Sequence, residues 1–198
     1  MNKKVVLGAV AALAAVVAVV IVYQVVRMRS EAAKWSGPMK EIVEEEVKRD
    51  GSVTTSRYVS LLDAPADAVQ KVIWDVGDAQ NMVDNIKLSK VLEDRGNVKL
   101  VEINLQALTL PLQQFTMEWT LYPHDHRITF KTIKSQAQDI TGEYKLEASP
   151  DGARTRLTYT TTSKDKIHVP FPQSVLDSAN RETYVNTVRG IEKRIKGG

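Results

Sequence analysis

No cysteine occurs among the 198 residues, which excludes a disulfide framework, a thiolate nucleophile, thiolate-bound zinc and Cys-held iron–sulfur clusters. Histidine is nearly as scarce, at three. Two of these, His124 and His126, flank Asp125 in a segment that reads as a hairpin turn, where alternate residues do not converge on a metal without a third ligand. His168 stands before an apolar loop and reads as an ordinary loop residue. No Gly-rich loop follows a strand and no Gly-x-Ser-x-Gly elbow is present, which removes phosphoryl transfer and serine-hydrolase chemistry. An excess of one charge is also lacking: 27 Lys and Arg oppose 24 Asp and Glu, and the net charge of +3 falls to +1 (3 − 2) once Lys3 and Lys4 are set aside. A surface this close to neutral argues against nucleic acid as a partner, because phosphate binding needs clustered basic residues.

What the chain does have is an apolar start. Val5 to Val26 are 22 residues without a charge, ten of them Val and six Ala. A helix of that length, at about 1.5 Å per residue, spans a bilayer core of about 30 Å. Tyr23 falls where interfacial aromatics sit. A cleaved secretory signal is the competing reading, since Lys3 and Lys4 form a basic start. The Ala-x-Ala triplets at 9–11 and 12–14 lie inside the apolar run, however, and cutting there would leave too short a hydrophobic core. Residues 1–29 therefore read as an uncleaved single-pass membrane anchor. Lys3 and Lys4 are balanced by Arg27, Arg29 and Lys34, so the positive-inside rule favours neither orientation.

Residues 30–50 read as a charged connector that acts as a spacer, with a Ser-Gly-Pro break at 36–38 and a short acidic-then-basic helix from Met39 to Arg49. From Gly51 on, strand and helix signals alternate. Val53 to Leu61 reads as a strand. Asp63-Ala-Pro65 opens a helix with Val69, Val72, Ile73 and Val76 on one face, stopped by Gly77, and a second helical piece covers Asp78 to Asn85. A strand near Leu88 to Glu93 leads into a meander at 98–107, 113–122, 127–134, 139–148 and 154–162. Period-two alternation selects one buried face: Val101, Ile103 and Leu105; Phe115, Met117, Trp119 and Leu121; Ile128 and Phe130; Ile140, Tyr144 and Leu146; Leu157 and Tyr159. Glu102, Glu118, Glu143 and Glu147 alternate outward, which removes paired-carboxylate catalysis. A final helix at 173–196 carries Leu176, Tyr184, Val188, Ile191 and Ile195 on one stripe, with Asn180 and Thr187 inside it.

The segments LLDAPADAVQKVIWDVGDAQ at 61–80, GEYKLEASPDGARTRLTYTTT at 142–162 and VPFPQSVLDSANRETYVNTVRGIEKRI at 169–195, in this order of elements, resemble the START-like helix-grip superfamily, also called SRPBCC, which includes polyketide cyclase/dehydrase-type and coenzyme Q-binding proteins. Many members carry a Trp-x-x-Trp-x-Pro-like segment after the second helix, where this chain has Gln80 to Asn85. The resemblance implies an α+β helix-grip domain over residues 51–198. In it a curved seven-stranded antiparallel sheet grips the last helix around an apolar cavity for lipids, quinones or polyketides.

The large inward side chains and the polar residue on the helix stripe place a ligand among Met117, Trp119, Phe130, Tyr144, Tyr159, Asn180 and Tyr184. A hydrophobic small molecule or lipid and the membrane are the expected partners, with no catalytic residue and no cofactor. Two rivals stand beside that reading. One is a polyketide cyclase or aromatase-like enzyme in which Tyr144 or Tyr159 donates a proton. The other is a tethered interaction module whose cavity is filled by its own side chains. In an antiparallel meander alternate turns share one end of the sheet, which brings together two unusually apolar loops. Leu110, Leu112, Val169 and Phe171 are accordingly expected to rim a portal facing the membrane, with the connector delivering the chain to that same end.

Overall fold

A computed structural model describes residues 3–108, 110–167 and 171–197, with the side chains of the first helix described from residue 19. The chain divides into two units, Met1–Pro38 and Met39–Gly198. The first holds α1 (Lys3–Lys34), whose last turn carries an ion pair between Lys34 and Glu31 at 2.8 Å. Among the described residues no helix is long and apolar enough to cross a membrane, and the side chains of residues 5–18 lie outside that description.

The second unit runs β1 (Lys40–Asp50), β2 (Val53–Leu62), α2 (Ala66–Trp74), a 3-10 turn at Val76–Asn81, β3 (Ile86–Asp94), β4 (Val98–Leu105), β5 (Gln113–Tyr122), β6 (Arg127–Ser135), β7 (Gln138–Ala148), β8 (Thr155–Asp165) and α3 (Gln173–Gly197). All strands pair antiparallel in the order β1-β2-β8-β7-β6-β5-β4-β3. The meander, the helix opening at Pro65 and the long last helix follow the sequence pattern closely. Two segments differ. The piece expected as a second helix over 78–85 is the 3-10 turn Val76–Asn81, where Gly77 lies against Val91 with no room for a Cβ.

The larger correction concerns the helix expected from Met39 to Arg49: Lys40–Asp50 form a strand instead, so the sheet has eight strands rather than seven. Ile42, Val43 and Val47 favour extended backbone, and Gly51, at φ +57°, turns the chain straight back into β2 with Asp50 opposite Val53. The charges that suggested a solvated helix instead divide between two faces. Toward α3, Glu41 meets Arg189 at 2.9 Å, Glu45 meets Arg181 at 3.0 Å and Arg49 meets Asp177 at 2.9 Å. On the other face Glu44 bridges Arg57 and Arg156. These partners lie 13 to 148 residues away, so no local pattern announces them.

At about 3.3 Å per residue a strand this long carries the chain along the length of the sheet. Lys40 pairs with Leu61 at one end and Asp50 with Val53 at the other. At the first end α2, α3 and the sheet enclose a solid core of Leu62, Val69, Ile73, Ile128, Leu157, Val188 and Ile191. There α3 passes so close that a Cβ on Gly190 would collide with the Met82 backbone.

Candidate functional site

The other half of the sheet is not filled, and its register explains why. Across β2, β8, β7, β6 and β5 the inward residues form rows. Tyr58 pairs with Tyr159, Tyr159 with Tyr144 and Tyr144 with Ile128, a row of large side chains. The next row is Ser56, Thr161, Gly142, Phe130 and Trp119. Beyond it come Thr54, Ser163 and Ile140. Small residues on β2, β8 and β7 thus leave space under α3, while bulky ones on β5 and β6 wall it.

That space is a cavity of about 160 Å³ lined by Ser56, Tyr58, Met117, Trp119, Phe130 and Tyr144, closed by Tyr159 and, from α3, by Asn180, Thr183, Tyr184 and Thr187. All seven residues picked from the sequence as ligand contacts border it. Asn180 is the exception to the reasoning that chose it: it stands exposed at the opening, shared with a smaller depression of about 60 Å³, and is not a paired polar group in a packed core. Thr183 and Thr187 donate their hydroxyls to the carbonyls of Ala179 and Thr183, each at 2.8 Å, so their hydroxyls are spent on the helix itself.

Six rings stack into one wall. Trp119 and Phe130 lie 5.1 Å apart, Phe130 and Tyr159 5.9 Å, Tyr159 and Tyr144 4.8 Å, Tyr159 and Tyr184 5.3 Å, and Tyr184 and Tyr58 4.9 Å. Such offset pairs add about 0.5–1.5 kcal/mol each beyond area burial. The Tyr184 hydroxyl is tied to Ser60 Oγ at 2.5 Å. Burial raises the phenol pKa of Tyr144, Tyr159 and Tyr184 well above its usual value, with the neighbouring tyrosines adding to the rise. At neutral pH these groups are therefore neutral hydrogen-bond donors. Among the described residues no Asp, Glu, Lys, Arg or His borders the cavity.

Tyr58 was missed by sequence reasoning. It is 1% exposed, lines the cavity and stacks on Tyr184. Its signal was parity: Thr54, Ser56, Tyr58 and Ser60 alternate on one face of β2, but three small polar residues do not look like a buried face until β1 and α3 cover them.

The depression that shares Asn180 with the cavity is lined by Leu105, Ala107, Leu110, Gln113, Ala137 and Gln138 and by the start of α3. Leu110 is buried there at 6% exposure and packs with Ala107, Ala179, Phe171, Val175 and Leu176. The two apolar loops thus meet each other beside the opening. Leu112, at 47% exposure, faces a separate outer groove with Ile167. Val169 and His168 lie outside the described residues. The expectation that the connector brings the chain to this end is overturned: the compact unit begins at Met39, and Lys40 sits opposite Leu61 at the far end. In the turn before β6, His126 Nδ1 lies 3.6 Å from Asp67 Oδ1, and among the described residues no three metal-binding side chains gather.

No family model and no curated protein matches the chain. Solved structures do. An aromatase/cyclase from Streptomyces sp. R1128 superposes with a TM-score of 0.64 at 16% identity, covering 73% of this chain and 94% of that one. A START superfamily protein from Mycobacterium smegmatis gives 0.60 at 14% identity, over 72% and 97% of the two chains. A STAR-related lipid transfer protein from Xanthomonas axonopodis gives 0.55 at 14%, over 77% and 98%. The second unit therefore has the START-like helix-grip fold, an antiparallel sheet wrapped on a long carboxy-terminal helix.

Proposed function

We propose that the domain binds an apolar small molecule non-covalently in the cavity beneath α3, and that the apolar run Val5–Val26 tethers it to a membrane. The observation that carries the first part is the ring wall facing an unfilled space. Aromatic area without a packing partner is a binding surface for apolar matter. A void of about 150 Å³ lined by apolar groups accepts a molecule of benzene size, so the cavity matches a ring or one isoprenoid unit, and longer ligands would extend through the opening beside Asn180. Leu110 and Phe171, packed together at that opening, are the proposed rim. The lipid-transfer and cyclase neighbours support the ligand class. Binding is favoured over chemistry because, among the described residues, the cavity lining offers no carboxylate, imidazole, ammonium or guanidinium group to pair with the phenols of Tyr144 and Tyr159 in acid–base work.

Native mass spectrometry of the full chain in mild detergent is the test. The wild type should retain a co-purified apolar molecule or take up naphthalene, and Thr161→Phe, which fills the floor of the cavity, should lose both while melting at a similar temperature. Equal loading of a folded Thr161→Phe variant would place the ligand elsewhere.

A further inference from the structure

Of the six rings on the cavity wall, Tyr184 alone comes from α3; the other five stand on β2, β5, β6, β7 and β8. Its hydroxyl is anchored through β1. The β1–β2 register shifts between Lys40, opposite Leu61, and Glu44, opposite Val59, so the single residue Ser60 faces Glu41, Ile42 and Val43 together. Within that bulge the Glu41 carbonyl accepts a hydrogen bond from the Ser60 hydroxyl. A serine hydroxyl has one hydrogen to give. With that hydrogen spent on β1, the 2.5 Å contact between Ser60 Oγ and Tyr184 Oη is one in which the phenol donates. Ser60 is fully buried and Tyr184 nearly so, and the relay from Tyr184 through Ser60 to Glu41 joins the backbone of β1 to a ring that stacks on Tyr58 and Tyr159. At the other end of β1, Arg49 donates to Thr54 at 3.0 Å and to Asp177 of α3 at 2.9 Å, beside the depression that adjoins the cavity.

We infer that Ser60 is a positioning residue through which β1 sets the Tyr184 face of the cavity, so that seating of β1 and occupation of the cavity stabilise each other. The inference rests on the cavity being a binding site. Two states of β1 define the coupling. Seated, the strand gives the Ser60 hydroxyl an acceptor, and Ser60 in turn holds the phenol in place. Released, it leaves Ser60 at the edge of the sheet, where water competes for both bonds and the ring loses its fixed place on the wall. A ligand that stacks on the wall prefers the first state. Linkage then requires the reciprocal: whatever factor a seated β1 adds to ligand affinity, the ligand adds to the seating of β1. The element coupled to the cavity is thus the strand nearest in the chain to the apolar run.

Hydrogen exchange of the full chain in detergent, with and without saturating naphthalene, reads the coupling. Naphthalene should slow exchange of the β1 amides of residues 42–47 by about fivefold, the lower range of ordinary coupling between sites, and leave residues 91–94 of β3, the opposite edge strand, unchanged. Equal slowing at both edges would be stabilisation of the whole domain by mass action and would overturn the coupling. Arg181→Glu with Arg189→Glu sets like charges against Glu45 and Glu41 at exposed positions, and should speed β1 exchange while weakening naphthalene binding. Ser60→Ala, which leaves those ion pairs in place, should bind naphthalene about fivefold more weakly and lose most of the ligand-induced slowing in β1. Should that variant not fold, Tyr184→Phe cuts the same relay with the ring kept. Slowing that persists once the relay is cut, wild type that binds naphthalene with β1 exchange unmoved, or full affinity in the charge-reversed variant with β1 exchanging faster would each overturn the positioning role and leave the cavity reading intact. No naphthalene binding by wild type would overturn both.

Discussion

Phe130 and Gly142 face each other across β6 and β7, and the ring of Phe130 lies directly on the bare backbone of residue 142. A Cβ at 142 would come within 2.5 Å of the Phe130 ring and 2.5 Å of the Thr160 carbonyl oxygen. Glycine there is what lets the ring lie flat and join the wall.

Gly142→Ala should therefore push the ring toward the cavity. A stability loss of about 1–3 kcal/mol is expected, the usual cost of overpacking, together with weaker uptake of naphthalene. Denaturant melts and probe titration check it, and a variant as stable as wild type with unchanged uptake would show that the ring has another resting place.

The place of β1 at the edge of the sheet sets where the chain can be cut. Removal of residues 1–38 should leave a folded, monodisperse domain that no longer sediments with membranes, because the compact unit begins at Met39. Removal of residues 1–51 should cost several kcal/mol, since it strips the edge of β2 and orphans Arg181, Arg189 and Asp177. Circular dichroism melts of the two fragments compare them directly; equal stability would make β1 dispensable.

The tyrosines give the domain an alkaline limit. A phenol whose pKa is raised in the folded state keeps its contribution fully below the unfolded value near 10 and loses it as pH climbs toward the folded value. Stability should hold from neutrality to about pH 9 and then fall. Tyr159→Phe should flatten that fall, a difference visible in melting temperature between pH 8 and 11. Parallel curves for wild type and variant would remove Tyr159 from the account.

The opposite sign applies to β1. Arg189 holds the Glu41 carboxyl below its ordinary pKa, and Arg57, helped by Arg156, does the same for Glu44. A depressed pKa stabilises above the ordinary carboxylate value and ceases to as pH falls through the folded one. Below about pH 4 the melting temperature of wild type should drop more steeply than that of the Glu41→Gln, Glu44→Gln double variant, which has already given up the charges.

Most of the architecture was legible because it is written locally. Gln113–Tyr122 alternates so regularly that its bounds agree with expectation to the residue, and Pro65 with Asp67 marks the start of α2. The cavity wall was legible for the same reason, as large residues at inward parity. What could not be read depended on partners distant in sequence. Glu41, Glu44 and Glu45 look like a solvated helix face until Arg189, Arg57 and Arg181 are placed beside them. Tyr58 sits among small polar residues that look exposed until a strand and a helix cover them. Leu110 and Phe171 were recognised as apolar loop residues on one end, yet which of them would be buried turned on how the two loops pack against Ala179.

The separation of Lys40 from the cavity opening has a mechanical meaning. A pull on the chain at Met39 loads the β1–β2 ladder one rung at a time, starting at the pair Lys40 and Leu61 and travelling toward Asp50 and Val53. Antiparallel rungs opened singly yield at lower force than rungs sheared together. β1 would therefore peel away as a fuse, letting out some eleven residues of slack before tension reached the rings around the cavity.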